Sequence, residues 1–227
     1  MKSYKNLFAA ALLGGAMLTV SSCADDFADT NTKKDAITTG TPEYLLGQAI
    51  LEFDPSSYTY WFFNSVNFAY AVQTAVPSGS ATETIIEGSS QQGYKNIAVQ
   101  NYLYMIKYEL AQMAPEDAAR YQQVEAIVKV LCTYLGIYDT DFCGDIPYTE
   151  ASQARYGGTL TPKYDAVKDL YDLFLADLDE CIKIFTTATG QYALSTQDVV
   201  YAGDMKKWAK LANSLKLKIT KTLTLGN

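Results

Sequence analysis

Apolar residues along this chain fall into runs with helical spacing, interrupted by proline and glycine. Near the start, Leu7 to Val20 is a near-continuous apolar stretch. It is followed by a polar, small-residue segment, 24–40, "ADDFADTNTKKDAITTG". From Thr41 the 3.6-residue period takes over. Thr41, Pro42 and Glu43 read as a cap, a first-turn proline and a first-turn acid, opening a helix through Phe53. After the Asp54-Pro55 break, Tyr58, Trp61, Phe62, Ser65, Ala69, Val72 and Val76 recur at three- and four-residue steps, predicting a helix that Pro77 ends. Residues 77–93, "PSGSATETIIEGSSQQG", read as a long loop with a short strand at Thr84 to Glu87. Loops of this length are common places for binding.

Helical spacing resumes over Tyr94 to Met113 and over Pro115 to about Tyr138, where Tyr121, Val124, Val128, Leu131 and Leu135 share a stripe. Thr161-Pro162 predicts the next start, with Val167, Leu170, Tyr171, Phe174, Leu178, Ile182 and Phe185 facing inward. Asp204 caps a last helix with Met205, Trp208, Leu211, Ala212, Leu215 and Ile219 on its inner face. Its lysines at 206, 207, 210 and 218 read as a solvated face rather than an anion site. The class is therefore all-α: antiparallel helical pairs, each needing a neighbour to cover its stripe, joined by irregular loops.

Composition narrows the chemistry. The 227 residues carry a net charge of −7, which becomes −9 without Lys2 and Lys5 of the apolar leader, so nucleic acid is an unfavourable partner. Histidine is absent, which removes the commonest neutral-pH base and zinc ligand. Besides Cys23, the cysteines are Cys132, Cys143 and Cys181, with no CxxC pair. They allow one disulfide and a free thiol, or three unpaired and mostly buried thiols, and the second reading fits cysteine's usual burial.

Two lysines, a short apolar core and small residues make residues 1–22 a secretory leader. The apolar stretch falls short of the roughly 18 residues of a membrane span. Val20-Ser21-Ser22-Cys23 resembles the lipobox of bacterial lipoproteins. That resemblance implies acylation of Cys23, with each buried methylene adding about 0.8 kcal/mol to membrane attachment. Residues 23–40 are then a flexible tether and 41–227 the helical domain. Asp25 and Asp26 resemble the acidic tether of surface-exposed lipoproteins in Bacteroidetes-type bacteria.

The most specific internal stretch is "YLGIYDTDFCGDIPYTEA", residues 134–151. As a calcium loop it offers Asp139, Asp141, Gly144 and Glu150 at EF-hand spacing. Cys143 at the fifth position, Pro147 at the ninth and a poor exiting helix oppose that reading. The structural alternative is a helix that unwinds after Tyr138, a glycine-permitted bend at Gly144, an extended Ile146 before Pro147, and Tyr148 packing back on the helices.

"FCGDIPYTEA", together with "VVYAGDMKKWAKLANSLKLKIT" at 199–220, resembles the paired signatures of the SusD/RagB family of outer-membrane lipoproteins. The resemblance runs from about Thr41 to the end and covers the N-terminal half of a family whose members are commonly much longer, so the chain reads as truncated. It implies tetratricopeptide-like helical pairs and a non-catalytic, surface-exposed outer-membrane lipoprotein without a cofactor. Such a protein captures glycans and passes them to a SusC-type TonB-dependent transporter. It also places part of the glycan site at about Glu87 to Asn96: Tyr94 as platform, Gln91, Gln92 and Asn96 as hydrogen-bonders, with Trp61 a further candidate that its apolar stripe would bury. Rival readings are a helical protein-binding scaffold, a truncated non-binding remnant, or a glycosidase using two of Asp139, Asp141, Asp145 and Glu150.

Overall fold

A computed structural model describes residues 40–53, 73–74 and 95–225. Of the helix expected over Tyr58 to Val76 only Gln73 and Thr74 are described, and they form a turn and a bend, with Gln73 at φ 60°, instead of continuing the helix. The rest of it, the loop after it and the leader and tether before Gly40 lie outside the described residues. Five long helices are described: α1 (Pro42–Phe53), α2 (Asn96–Gln112), α3 (Gln122–Cys143), α4 (Val167–Thr187) and α5 (Met205–Leu225). The only β pairing among the described residues is a single antiparallel bridge between Ile146 and Asp165. No helix among them is long and apolar enough to cross a membrane.

Cross-helix contacts fix the directions. Asn96 meets Asp139 while Lys107 meets Glu125, so α2 and α3 run antiparallel. Asp141 meets Tyr171 while Lys129 meets Glu180, so α3 and α4 do too. On the other flank Phe53 packs edge-on against Tyr134, and α5 lies along α4. α3 is thus the central helix, and its buried residues (Val124, Ile127, Val128, Val130, Leu131, Cys132, Leu135 and Ile137) join one core with Leu46, Val99, Ile106, Leu170, Phe174, Leu178, Trp208 and Ile219. The expected all-α architecture of antiparallel pairs is what forms. Cys132 and Cys181 are free and buried, and Cys143 is free but exposed. Burial pushes the Cys181 thiol up to about 12 and the Cys132 thiol higher, so both act as small apolar side chains.

Four further boundaries differ from the sequence reading. The helix expected from Pro115 to Tyr138 is broken into a turn at Pro115–Ala118 and a 3-10 turn at Ala119–Tyr121 before α3 begins. A later loop imposes the break: Tyr192 stacks on Tyr121, its N–H donates to the Arg120 carbonyl at 2.7 Å, and the Gln191 amide bridges the Ala119 carbonyl and the Gln123 N–H. α3 then runs past Tyr138 to Cys143, because buried Asp139 is held as a helical residue by the start of α2. Thr161-Pro162 does not start α4. Residues before Val167 stay extended to pair with Ile146, and the Asp145 carboxylate accepts from the Val167 N–H at 3.0 Å, capping α4 from a distance. α2 starts at Asn96 rather than Tyr94. The last helix starts as expected, with the Asp204 carboxylate accepting from the Lys206 and Lys207 N–H groups.

Candidate functional site

The bend after α3 is built around two close approaches. Gly144 closes the helix at φ 80°, ψ −128°, and donates its N–H to the Thr140 carbonyl. About two turns earlier, Gly136 lets two rings meet the helix backbone: a Cβ there would lie 2.7 Å from Phe174 Cζ and 2.8 Å from Tyr148 Cε2. Tyr148 is accordingly buried, edge-on to Phe174 at 4.9 Å, as the sequence implied. Asp165, which sequence reasoning did not single out, gathers the chain beyond. Its carboxylate accepts from the Tyr148 N–H, the Thr149 N–H (2.7 Å) and the Thr149 hydroxyl. Burial alone would raise this carboxyl, but those donors and nearby Lys163 outweigh it and hold the pKa below the ordinary value.

The second signature turn has its own centre, also absent from the sequence reading. Asp198 is fully buried and accepts from the N–H groups of Val200, Tyr201 and Gly203 and from the Trp208 indole N–H at 2.7 Å. Gly203 sits at φ 79°, and a Cβ there would fall 2.3 Å from the Leu194 carbonyl oxygen. An Asx turn is the signal that could have found Asp198: a side chain bonding two and three residues ahead in a glycine-containing turn.

The four carboxylates of the first motif have separate partners. Asp139 accepts from the Asn96 N–H at 2.8 Å, and burial pushes its pKa up to about 6 despite that bond and the nearby Lys95 charge. Asp141 pairs with the Tyr171 hydroxyl and with Lys218 Nζ. Asp145 caps α4, and Glu150 accepts from the Lys163 N–H at 3.1 Å. Asp139, Asp141 and Glu150 therefore do not converge as calcium ligands, and no group of three or more metal-binding side chains occurs among the described residues.

Of the residues expected to meet a glycan, Asn96 alone is described. It is fully buried, and neither of its amide atoms has a hydrogen-bond partner among the described residues. Cys23, Trp61, Gln91, Gln92 and Tyr94 lie outside the described residues.

The first turn also builds a surface feature. Beyond Ser152 the chain is tied to α2 by the Ser152 hydroxyl on the Ile97 carbonyl and the Gln153 amide on the Tyr104 hydroxyl. The 3-10 turn Ala154–Tyr156 then places Arg155 and Tyr156 beside Asn101, Tyr102 and Met105 of α2 and Glu52 of α1. Together they line an open groove of about 430 Å³. The Tyr102 and Tyr156 phenols are raised above their ordinary pKa, chiefly by burial, and remain hydrogen-bond donors at neutral pH.

Comparison with known proteins adds three findings. A SusD-like family model, described as "Starch-binding associating with outer membrane", matches residues 36–224. No match was found among curated proteins. Among solved structures, a chitin-binding protein is 25% identical with a TM-score of 0.58, covering 79% of this chain and 38% of its own. A SusD homolog from Parabacteroides distasonis ATCC 8503 is 20% identical with a TM-score of 0.59, over 79% of this chain and 35% of its own. Another from Bacteroides fragilis NCTC 9343 is 22% identical with a TM-score of 0.52, again over 79% and 35%. The two homologs share the fold, and this chain spans little more than a third of any of these structures.

Proposed function

This chain belongs to the SusD-like family, and we propose on that premise that it captures glycans outside the cell without cleaving them. The observation that carries the reading is the family match over residues 36–224, described as starch-binding and outer-membrane-associated. Support comes also from the likeness to a chitin-binding protein. The commitment of Asp139, Asp141, Asp145 and Glu150 to separate partners favours binding over glycosidic cleavage, which needs two carboxylates flanking one bond.

In this proposal residues 1–22 are removed, Cys23 is acylated and 23–40 tether the helical domain 41–227 to the outer membrane, facing outward. Tyr94 with Gln91 and Gln92 forms one part of the glycan contact, Trp61 a lesser one, and the bound sugar passes to a SusC-type TonB-dependent transporter. Electrophoresis of the protein through gels containing starch, mannan, mucin glycans or pectin tests the capture step. Slowed migration with at least one polymer is expected, and uniform mobility in all four contradicts it. Reducing sugar released from a retarding polymer, and lost in Asp145→Asn, would replace capture by hydrolysis.

A further inference from the structure

The groove between α1, α2 and the Ala154–Tyr156 turn has a mixed chemistry. Two phenol rings and Met105 supply apolar surface, while Asn101, Glu52 and Arg155 supply polar groups. Neither Glu52 nor Arg155 has an ion-pair partner among the described residues. The aromatic surface continues outward, because Tyr108, half exposed, lies beside Tyr156 with ring centroids 5.2 Å apart and planes tilted by 32°. Two hydrogen bonds to α2 hold the turn that carries Arg155 and Tyr156, so a ligand would meet a surface already in place.

We propose that this groove is a glycan-contact site for an uncharged pyranose, the Tyr156 and Tyr102 rings taking the sugar's C–H surface and Asn101, Glu52 and Arg155 its hydroxyl edge. Every neutral sugar hydroxyl both donates and accepts. It is matched by a set holding a pure acceptor, a pure donor and an amide that does both. A uronate or sulfated sugar fits worse: Glu52 opposes Arg155 in the same groove, and the chain is net negative at −7. No sequence signal pointed here, since Tyr102 and Tyr156 are distant in the chain and converge only through the first turn.

The site rests on the glycan-capture reading, and calorimetric titration of the purified full-length protein separates the two. The probes are maltoheptaose, chitohexaose and hexagalacturonate. A neutral oligosaccharide should bind, with affinity falling about tenfold or more in Tyr156→Ala and changing less than about threefold in Tyr156→Phe, which keeps the ring. Asn101→Ala, at an exposed helix position, gives a second reading with a similar expected loss if thermal melting shows that Tyr156→Ala has lost its fold. A neutral probe bound equally by wild type, Tyr156→Ala and Asn101→Ala overturns the groove while leaving glycan capture standing. Preference for hexagalacturonate overturns the uncharged specificity, and binding of none of the three overturns the groove and, for these sugars, the capture reading.

Discussion

The two signature turns solve one problem in different ways. Each interrupts a helical ladder, leaving backbone N–H groups that cannot stay buried unpaired, and each supplies one buried aspartate to collect them. Asp198 works locally: every donor it receives lies within ten residues, ending on the indole N–H of Trp208 at the base of α5. Asp165 works at a distance, accepting from Tyr148 and Thr149 across 17 and 16 residues while its backbone pairs with Ile146. The local centre makes one helix start, whereas the distant one fastens the α3 bend to the chain before α4. Stability should therefore depend more on Asp198 and assembly of the groove more on Asp165.

Removing the acceptors tests this most strongly. Asp198→Ala leaves three backbone N–H groups and a fully buried indole N–H without an acceptor, and should cost about 4 kcal/mol in chemical denaturation. Asp165→Ala should cost less, about 2 to 3 kcal/mol, because Thr149 and its surroundings are partly solvated. Only Asp165→Ala should also raise amide exchange at Arg155 and Tyr156, reporting a loosened groove wall. Equal destabilisation, or exchange rising equally in both variants, would break the distinction.

Acid sharpens it through opposite signs at Asp139 and Asp165. Asp139 has a raised folded pKa of about 6, so as pH falls from 7 towards 4 the folded state takes up a proton the unfolded chain does not. Stability should rise in that window, by on the order of 2 kcal/mol. Asp165 has a lowered folded pKa, so its contribution is complete above the ordinary carboxylate value and is lost as pH falls through the folded one. Urea midpoints across pH 3 to 7 should show the rise vanish in Asp139→Asn and the low-pH fall flatten in Asp165→Asn. The smallest effect is expected at Gly136→Ala, where the added methyl forces Phe174 and Tyr148 apart, at about 1 to 2 kcal/mol by thermal melting.

What the sequence disclosed follows the same division between local and distant. The stripe of α5 and its Asp204 cap are legible because period and cap lie within one segment. Tyr148 packing behind Gly144 was legible for the same reason: the bend and its anchor are neighbours. The late start of α4 was not, because Pro162 fits a first turn equally well and the decision belongs to Ile146 and Asp145, far upstream. The break at Tyr121 likewise depends on Gln191 and Tyr192. The groove is hidden for a stronger reason, since its walls come from three separate segments with no shared spacing.

The most direct test of the central claim is retention of fluorescent neutral oligosaccharide on intact bacteria, comparing cells that carry this protein with a deletion strain. Capture at the outer surface predicts labelling that depends on the protein and is competed away by unlabelled sugar. Equal labelling of the two strains with starch-derived and chitin-derived probes would contradict it.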